Sequence, residues 1–294
     1  MKNDLRYFLI LNPAANQGRA AKIIPIIQEF FNKWDQKYEL AVTKRPKEAV
    51  TLANQAAKKY DVVVAIGGDG TINEVVNGLM GSRAVFGLIP AGAGNDFSKA
   101  LGLKNNLSEN LEIILRGHVR EVDVGKVNHL YFINILGTGF DALVAESMAS
   151  RPKMLKGLAA YLWGLAKTLK RYRFTRLKLK TDGWSEEKEY LMVAAANGEF
   201  FGGGFHLTPH ASIRDGFLDV LLADKMSRKY LLKNLNKVIK GTHENLPEIR
   251  IIKTKKLSIE SEGELLCEYD GELLRGQKKL EIEILPRAIK IIGN

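Results

Sequence analysis

The stretch VVAIGGDGTINEVVNGL, Val63 to Leu79, limits the fold more than any other part of the chain. Tyr60 to Ile66 is a run of β-favouring and small apolar residues, and Ile72, Val75, Val76 and Leu79 recur at helical spacing, so a glycine loop joins a strand directly to a helix. Gly67, Gly68 and Gly70 let backbone N–H groups approach an anion closely, and the helix that follows presents the positive end of its dipole. That combination suits phosphate. A bare carboxylate at Asp69 would repel a phosphate, so its position makes chemical sense if a cation stands between the two. The guest this predicts is a Mg²⁺-nucleotide.

The flanking segments extend the strand–helix alternation. LRYFLILNP reads as a strand ending at Asn12-Pro13. Arg19 to Trp34 reads as a helix that Pro25 either opens or kinks. YELAVTK is a second strand, PKEAVTLANQAAKKY a helix with Pro46 in its first turn, and AVFGLIP a strand after the glycine-loop helix. Such a β-α-β-α-β-α-β order predicts a parallel sheet covered by helices, with ligands at the carboxyl ends of the strands, where Asn12, Thr43, Gly67 to Thr71 and Pro90 to Asn95 converge. Beyond about Val124 the texture changes. HLYFINILGTGF, TRLKLKTDG, KEYLMVAAANG, LDVLLAD, EIRIIKTKKLSIES and KLEIEIL are strand-like, with helical patterns only near Lys153 to Arg171 and Lys229 to Lys240. The reading is an α/β nucleotide-binding domain over 1–124 and a β-rich domain over 125–294. The last residues either stay with the second domain or return to the first.

At 294 residues, 46% apolar and 26% charged, the chain has the balance of a globular protein with room for two cores. No apolar run reaches the roughly 18 residues that a spanning helix needs, and Met1 to Arg6 lacks a signal-peptide core, so a cytoplasmic location is expected. The single cysteine, Cys267, excludes an internal disulfide and a cysteine metal cluster. A formal net charge of +11 asks for an acidic partner: a nucleotide, an anionic membrane or a nucleic acid. Between Arg151 and Lys180 there are ten Lys or Arg and no acid. Leu155, Leu158, Leu162, Leu165 and Leu169 form a stripe within it, the pattern of a helix lying on anionic lipid or of one packed against its own domain. Basic and aromatic residues do not interleave as in single-strand binders, and no nucleic-acid partner is expected. His206 and His210 are spaced for zinc only in a helix, which Pro209 and Gly202 to Gly204 oppose.

A second flexible strand-to-helix turn, PAGAGNDF, places Asn95 and Asp96 where they can meet a ribose, a metal-bound water or the first loop. With LNPAANQG, GGDGTINEVVNGL, INILGTGFDA, FGGGFHLTPHASIRDGFLDV and YDGE, it makes six ordered motifs over nearly the whole chain. In these the sequence resembles the diacylglycerol kinase catalytic-domain superfamily, and most closely its small bacterial lipid kinases. The GGDG element alone also occurs in NAD kinases and phosphofructokinases. The resemblance implies an α/β domain followed by a β-sandwich domain, and ATP-dependent phosphorylation of a lipid hydroxyl in the cleft between them. By this match Asn12 and Thr43 contact the nucleotide, and Gly67, Gly68, Asp69, Gly70, Thr71, Ile72 and Asn73 hold its phosphates, Asp69 acting through Mg²⁺. Ala93 and Asn95 line the same site. Ala93 stands where the family usually has a hydroxyl residue, and Asn16 where a glycine is common. A separate metal site is implied at Asp215, with the carbonyls of Ser212 and Phe217, and Glu272 of YDGE matches the catalytic base, with Asp270 beside it.

The chemistry is consistent with that match, since phosphoryl transfer needs positioning, a divalent ion, and a carboxylate that takes the proton of the attacking hydroxyl. YDGEL taken alone is also a plain hairpin turn. Two other functions stay open at this point, a kinase for a soluble substrate of the NAD-kinase type and a non-catalytic basic regulatory or nucleic-acid-binding protein. The lipid itself is not legible, nor is the oligomeric state, a homodimer being one alternative.

Overall fold

The computed structural model describes residues 4–148, 150, 152, 154–155 and 157–293. The chain forms two compact units, one of residues 1–122 and 287–294 and one of residues 123–286.

The first unit runs β1 (Arg6–Leu11), a 3₁₀ turn (Arg19–Ile23), α1 (Ile24–Lys33), β2 (Lys37–Val42), α2 (Glu48–Ala56), β3 (Val62–Gly67), α3 (Asp69–Leu79), β4 (Val85–Pro90), α4 (Asp96–Ala100) and α5 (Leu107–Arg116). Its strands pair in parallel in the order β4-β3-β1-β2, and the end of the last strand of the chain adds beside β4 through Ile291 and Phe86. Every residue of β3 is buried, as expected of a central parallel strand covered on both faces. The helix expected over Arg19 to Trp34 is two elements. Pro25 has no N–H to give and sits in the first turn of α1, so it opens the helix and does not kink it. Likewise α2 starts after Lys47, which adopts a left-handed φ of 65°, and not at Pro46.

Two residues of TINEVVNGL shape this unit. Glu74 accepts the backbone N–H groups of Lys47 (3.0 Å) and Ala49 (3.1 Å), so a side chain of α3 caps the start of α2. Four residues later, a Cβ on Gly78 would lie 2.4 Å from the Val50 carbonyl oxygen and 2.7 Å from Ala53 Cβ. The two helices cross at backbone contact.

The second unit contains β5 (Val119–Val127), β6 (Leu130–Phe132), β7 (Ile135–Gly139), α6 (Phe140–Met148), α7 (Gly157–Leu169), β8 (Thr175–Lys180), β9 (Ser185–Ala196), β10 (Phe200–Phe201), β11 (Phe205–His206), β12 (Leu218–Asp224), α8 (Arg228–Lys240), β13 (Ile249–Thr254), β14 (Lys256–Tyr269) and β15 (Glu272–Ile292). The chain leaves the first unit within β5 and returns to it within β15. Long strands let one antiparallel sheet coil on itself. The first half of β9 pairs with β8 and the second half with β7, and both partners also pair with β14. The enclosed surface is apolar, with Leu136, Leu179, Val193, Val220, Ile259 and Leu280 among its buried residues. The opposite surface carries α6, α7 and α8 over Ile135, Ala194, Ala196 and Leu221. α6 begins where the strand-like HLYFINILGTGF ends and occupies a segment for which no helix was expected. In α7, Ala160 and Leu165 are buried, and Leu162 and Leu169 pack on the same cluster, so the described part of the leucine stripe faces inward. Arg151, Lys153 and Lys156 and the side chains of Leu158 and Tyr161, which belong to that basic stretch, lie outside the described residues.

Gly78→Ala should test the helix crossing. Alanine favours a helix interior by about 1 kcal/mol over glycine. The contact with Val50 should outweigh that gain and leave a net loss on the order of 1–3 kcal/mol, the usual cost of overpacking. A lowered thermal midpoint is the expected reading, and an unchanged or raised one would show that the helices separate freely.

Candidate functional site

The first unit brings both glycine loops to the carboxyl ends of β3 and β4. The Ala91 N–H donates to the Gly67 carbonyl (2.8 Å), which extends the β3–β4 pairing into the loops. Beyond it the backbones touch. A Cβ on Gly92 would lie 2.4 Å from the Gly68 Cα, and one on Gly68 would lie 3.1 Å from the Gly92 Cα, so neither position tolerates a side chain without movement. Asp69 spans the two loops. Its Oδ1 accepts the N–H of Asp96 at 2.8 Å, with Phe97 N–H at 3.5 Å, and so caps α4. Asn95 closes the second loop on itself, Oδ1 accepting from Gly92 N–H (2.9 Å) and Nδ2 donating to the Gly92 carbonyl (3.2 Å), in a left-handed backbone (φ 53°) that asparagine tolerates.

The other residues expected here have more varied roles. Asn12 Nδ2 donates to Thr71 Oγ1 (3.1 Å) and its Oδ1 accepts Ala14 N–H (3.0 Å), which ties the end of β1 to the first turn of α3. Gly67 must lack a side chain because a Cβ would meet Thr71 Oγ1 at 2.5 Å. Thr43 is buried and its N–H donates to the Leu11 carbonyl (2.9 Å). Ile72 and Asn73 are buried, so at those positions the backbone is what a phosphate can reach. Ala93 is exposed at the tip of the second loop. Helix-start amides, a carboxylate fixed through one oxygen and glycines that keep the backbone bare are a donor set that fits a nucleotide triphosphate with a divalent cation.

In the second unit Asp270 and Gly271 form the two-residue turn between β14 and β15, with φ of 47° and 91° and Tyr269 paired to Glu272. These are the positive values of a type I′ hairpin turn, for which Asp-Gly is strongly preferred. Thus YDGE is a hairpin, and Glu272 is its first strand residue after the turn, partly exposed. Asp270 is corrected from a catalytic to an anchoring residue. Its Oδ2 accepts Ile133 N–H (2.6 Å) and its Oδ1 accepts those of Asn134 and Ile135 (both 3.0 Å). Glu268 supports the same turn by accepting Gly271 N–H (2.5 Å). The Tyr269 hydroxyl beside it is pushed to higher pKa, by burial first and then by the charges of Glu272 and Asp270.

At the metal site expected at Ser212, Asp215 and Phe217, the Asp215 carboxylate meets groups of the protein itself. Asp215 Oδ2 pairs with the Lys253 ammonium at 2.5 Å and its Oδ1 accepts Phe217 N–H at 3.0 Å. Lys253 also reaches buried Asp219 (3.1 Å). The loop is shaped by Asp123, whose Oδ2 accepts Gly216 N–H (2.7 Å). Among the described residues no cluster of three or more His, Cys, Asp or Glu could hold a metal.

Sequence reading passed over Asp141 in GTGFDA. Its side chain is fully buried at the start of α6, neither oxygen has a hydrogen-bond partner among the described residues, and Oδ2 occupies the space a side chain on Gly137 would need. The only signal was an acid set among apolar and glycine residues. Burial pushes its carboxyl up to about 7. The free-chain value is about 3.9, so between those limits the folded state holds a proton that the unfolded state releases. This group therefore destabilises the fold progressively as pH rises from about 4 to about 7. Asp141→Asn removes that term, and the melting temperature of the variant minus that of the parent should be larger at pH 8 than at pH 4.5. A difference independent of pH would mean the carboxyl titrates normally.

Comparison with known proteins follows the two units. Residues 6–127 match the diacylglycerol kinase catalytic domain, and residues 134–293 match the YegS C-terminal NAD kinase β-sandwich-like domain. The diacylglycerol kinase of Bacillus subtilis (strain 168) is 30% identical over 269 residues, which is 90% of this chain and 88% of that protein. That of Staphylococcus aureus (strain MRSA252) is 30% identical over 267 residues, 90% and 85% of the two chains. A crystal structure of a diacylglycerol kinase from Bacillus anthracis str. Sterne superimposes with a TM-score of 0.75 at 28% identity, over 100% of this chain and 98% of that one. A further structure from the same organism gives a TM-score of 0.80 at 29% identity, with 100% and 99% covered.

Proposed function

The chain belongs to the diacylglycerol kinase family and is a lipid kinase, and from that premise we propose that it transfers the γ-phosphate of ATP, with Mg²⁺, to the hydroxyl of diacylglycerol at the inner face of an anionic membrane. The observation that carries this reading is the contact of the two glycine loops, fixed by the Asp69 bond to Asp96 N–H. It leaves a helix start and a second bare turn at the ends of adjacent parallel strands, where the triphosphate lies against backbone N–H groups and Asn95, and where Asn12 and Thr71 hold the first turn of α3 in place. Mg²⁺, when bound, would be held through Asp69 and would neutralise charge on the transferred group.

Glu272 is the residue assigned to the acceptor. The lipid hydroxyl oxygen forms a bond to the γ-phosphorus as the bond from that phosphorus to the β,γ-bridging oxygen breaks. The hydroxyl proton passes to the Glu272 carboxylate and ADP leaves. Supporting this role, the I′ turn fixes where Glu272 starts, and Asp270 and Glu268 hold that turn through backbone N–H groups. The reaction also suits the chain's composition, since no described helix is long and apolar enough to cross a membrane, while the net charge of +11 favours approach to anionic lipid.

Two substitutions separate the roles. Glu272→Gln keeps size and deletes basicity, so turnover of diacylglycerol should fall about 10²- to 10⁴-fold while ATP binding stays near the parent value. Asp69→Asn keeps the oxygen that accepts Asp96 N–H and loses the charge, so it should melt like the parent yet lose phosphorylation and Mg²⁺-dependent nucleotide affinity. Parallel measurement of ATP binding, melting and labelled lipid product tests both. Turnover within about threefold of the parent for Glu272→Gln, far below the usual contribution of a general base, would end its assignment.

A further inference from the structure

From sequence, the basic stretch of 151–180 lies either on anionic lipid or against its own domain; of its described residues Leu162, Leu165 and Leu169 pack inward, whereas Met154 is 91% exposed. α8 has a different surface. It carries Arg228, Lys229, Lys233, Lys237 and Lys240 and no acidic residue. Lys229, Lys233 and Lys237 follow at four-residue steps, with Lys240 three residues on, so the four lysines share one side of the helix. All four are exposed, and none makes an ion pair with another described residue.

Some surface cations of the unit are matched, Lys188 with Glu186 and Asp224, Arg250 with Glu186, Arg176 with Glu187, and Lys225 with Glu189. Others, such as Arg173, Lys178 and Lys180, have no ion pair with a described residue, and α8 differs from these in setting four such lysines on one side of one helix. Like charges four apart on a helix repel, so an unmatched row works against α8 itself. The opposite side keeps the helix in place. Leu231, Leu235, Val238 and Ile239 pack on the sheet, and Asn234 is buried, donating to the Tyr230 carbonyl. Both ends are fixed as well. Ser227 caps the start by accepting Tyr230 N–H (3.2 Å), and Gly241 ends it at φ 69°. The lysines therefore point outward as a fixed row, and beside them Leu232 stands 50% exposed. A fixed cationic row edged by an exposed leucine matches the interface of a bilayer, where headgroup phosphates take the ammonium groups and the apolar side chain enters the acyl boundary. A nucleic acid would use the charges and leave the leucine in water.

We propose that the outer face of α8 docks the protein on an anionic phospholipid bilayer. This rests on the membrane setting proposed above for the reaction, and deepens it by naming the surface. The test is co-sedimentation of the full chain with phosphatidylcholine vesicles and with mixed phosphatidylcholine–phosphatidylglycerol vesicles, beside kinase assays on short-chain diacylglycerol in neutral detergent micelles. The parent should bind the mixed vesicles only, less so as salt rises. Lys229→Gln/Lys233→Gln/Lys237→Gln/Lys240→Gln should weaken that binding about tenfold or more, given the pull of anionic lipid on each basic residue near the surface, while melting and micelle activity stay as in the parent. Leu232→Ser should weaken it with no change of charge. A control that removes the same charge from the first unit, Lys22→Gln/Lys33→Gln/Lys58→Gln/Lys59→Gln, should bind like the parent.

Equal binding by the α8 variants and the parent would overturn the proposal. An equal loss in the control, or binding of RNA through the same lysines without binding of vesicles, would overturn it too. Should the fourfold variant fail to fold, Lys233→Gln/Lys237→Gln carries the same contrast. A parent that binds mixed vesicles through α8 but makes no phosphorylated lipid in micelles would defeat the proposed reaction and leave the docking surface standing.

Discussion

The bond from the Asp96 N–H to Asp69 Oδ1 is the constraint on which the rest of the first unit turns. Glycine loops have a high conformational entropy, and two of them in contact would wander unless something held them. Asp69 sits at the start of α3, where a negative charge is favoured by the helix dipole, and from there caps a second helix. One carboxylate thus fixes both loops relative to each other. Thr71, bound by Asn12, fixes the first loop to β1 in the same way.

The repeating strand–helix order of the first half was legible because β1, β3 and β4 are largely buried and the helices between them each have an apolar face, so period and burial agree, although β2 at the edge is only partly covered. The second half was harder. Its strands pair with residues far away in sequence, and a segment such as INILGTGFDALVAESM changes from strand to helix at Phe140 with no proline or cap to mark it. The six motifs led to the right family, yet proximity in sequence misassigned Asp270. A carboxylate one residue from a turn glycine looks much the same whether it faces substrate or three backbone N–H groups. Only the fold, which brings Ile133 to Ile135 alongside, shows that it faces the latter. The pair of Asp215 with Lys253 was likewise out of reach of the sequence, since Lys253 lies 38 residues away on β13 and no local pattern reveals it.

Buried acids in the second unit divide into two kinds. Asp123, Asp219 and Asp270 are met by N–H groups or an ammonium, so hydrogen bonding opposes the cost of burial, although in Asp219 burial still prevails and pushes the carboxyl up. Asp141 has no such partner among the described residues, and burial instead favours its neutral form. The fold thus accepts a local cost at the start of α6.

The return of β15 to the first unit has a consequence for how the protein is made. Ile291 pairs with Phe86, about two hundred residues earlier, so the sheet that holds both glycine loops lacks this strand until residue 291 has been made. Residues 123–286 emerge in between as an unbroken stretch and can form their own core first, whereas the first unit must wait for residues 287–294. High contact order of this kind slows closure and leaves β4 open to strand pairing with other nascent chains in the interval. Loss of residues 287–294 would therefore strike the two glycine loops, which lie far from them in sequence, before it touched the β-rich unit next to which they are encoded.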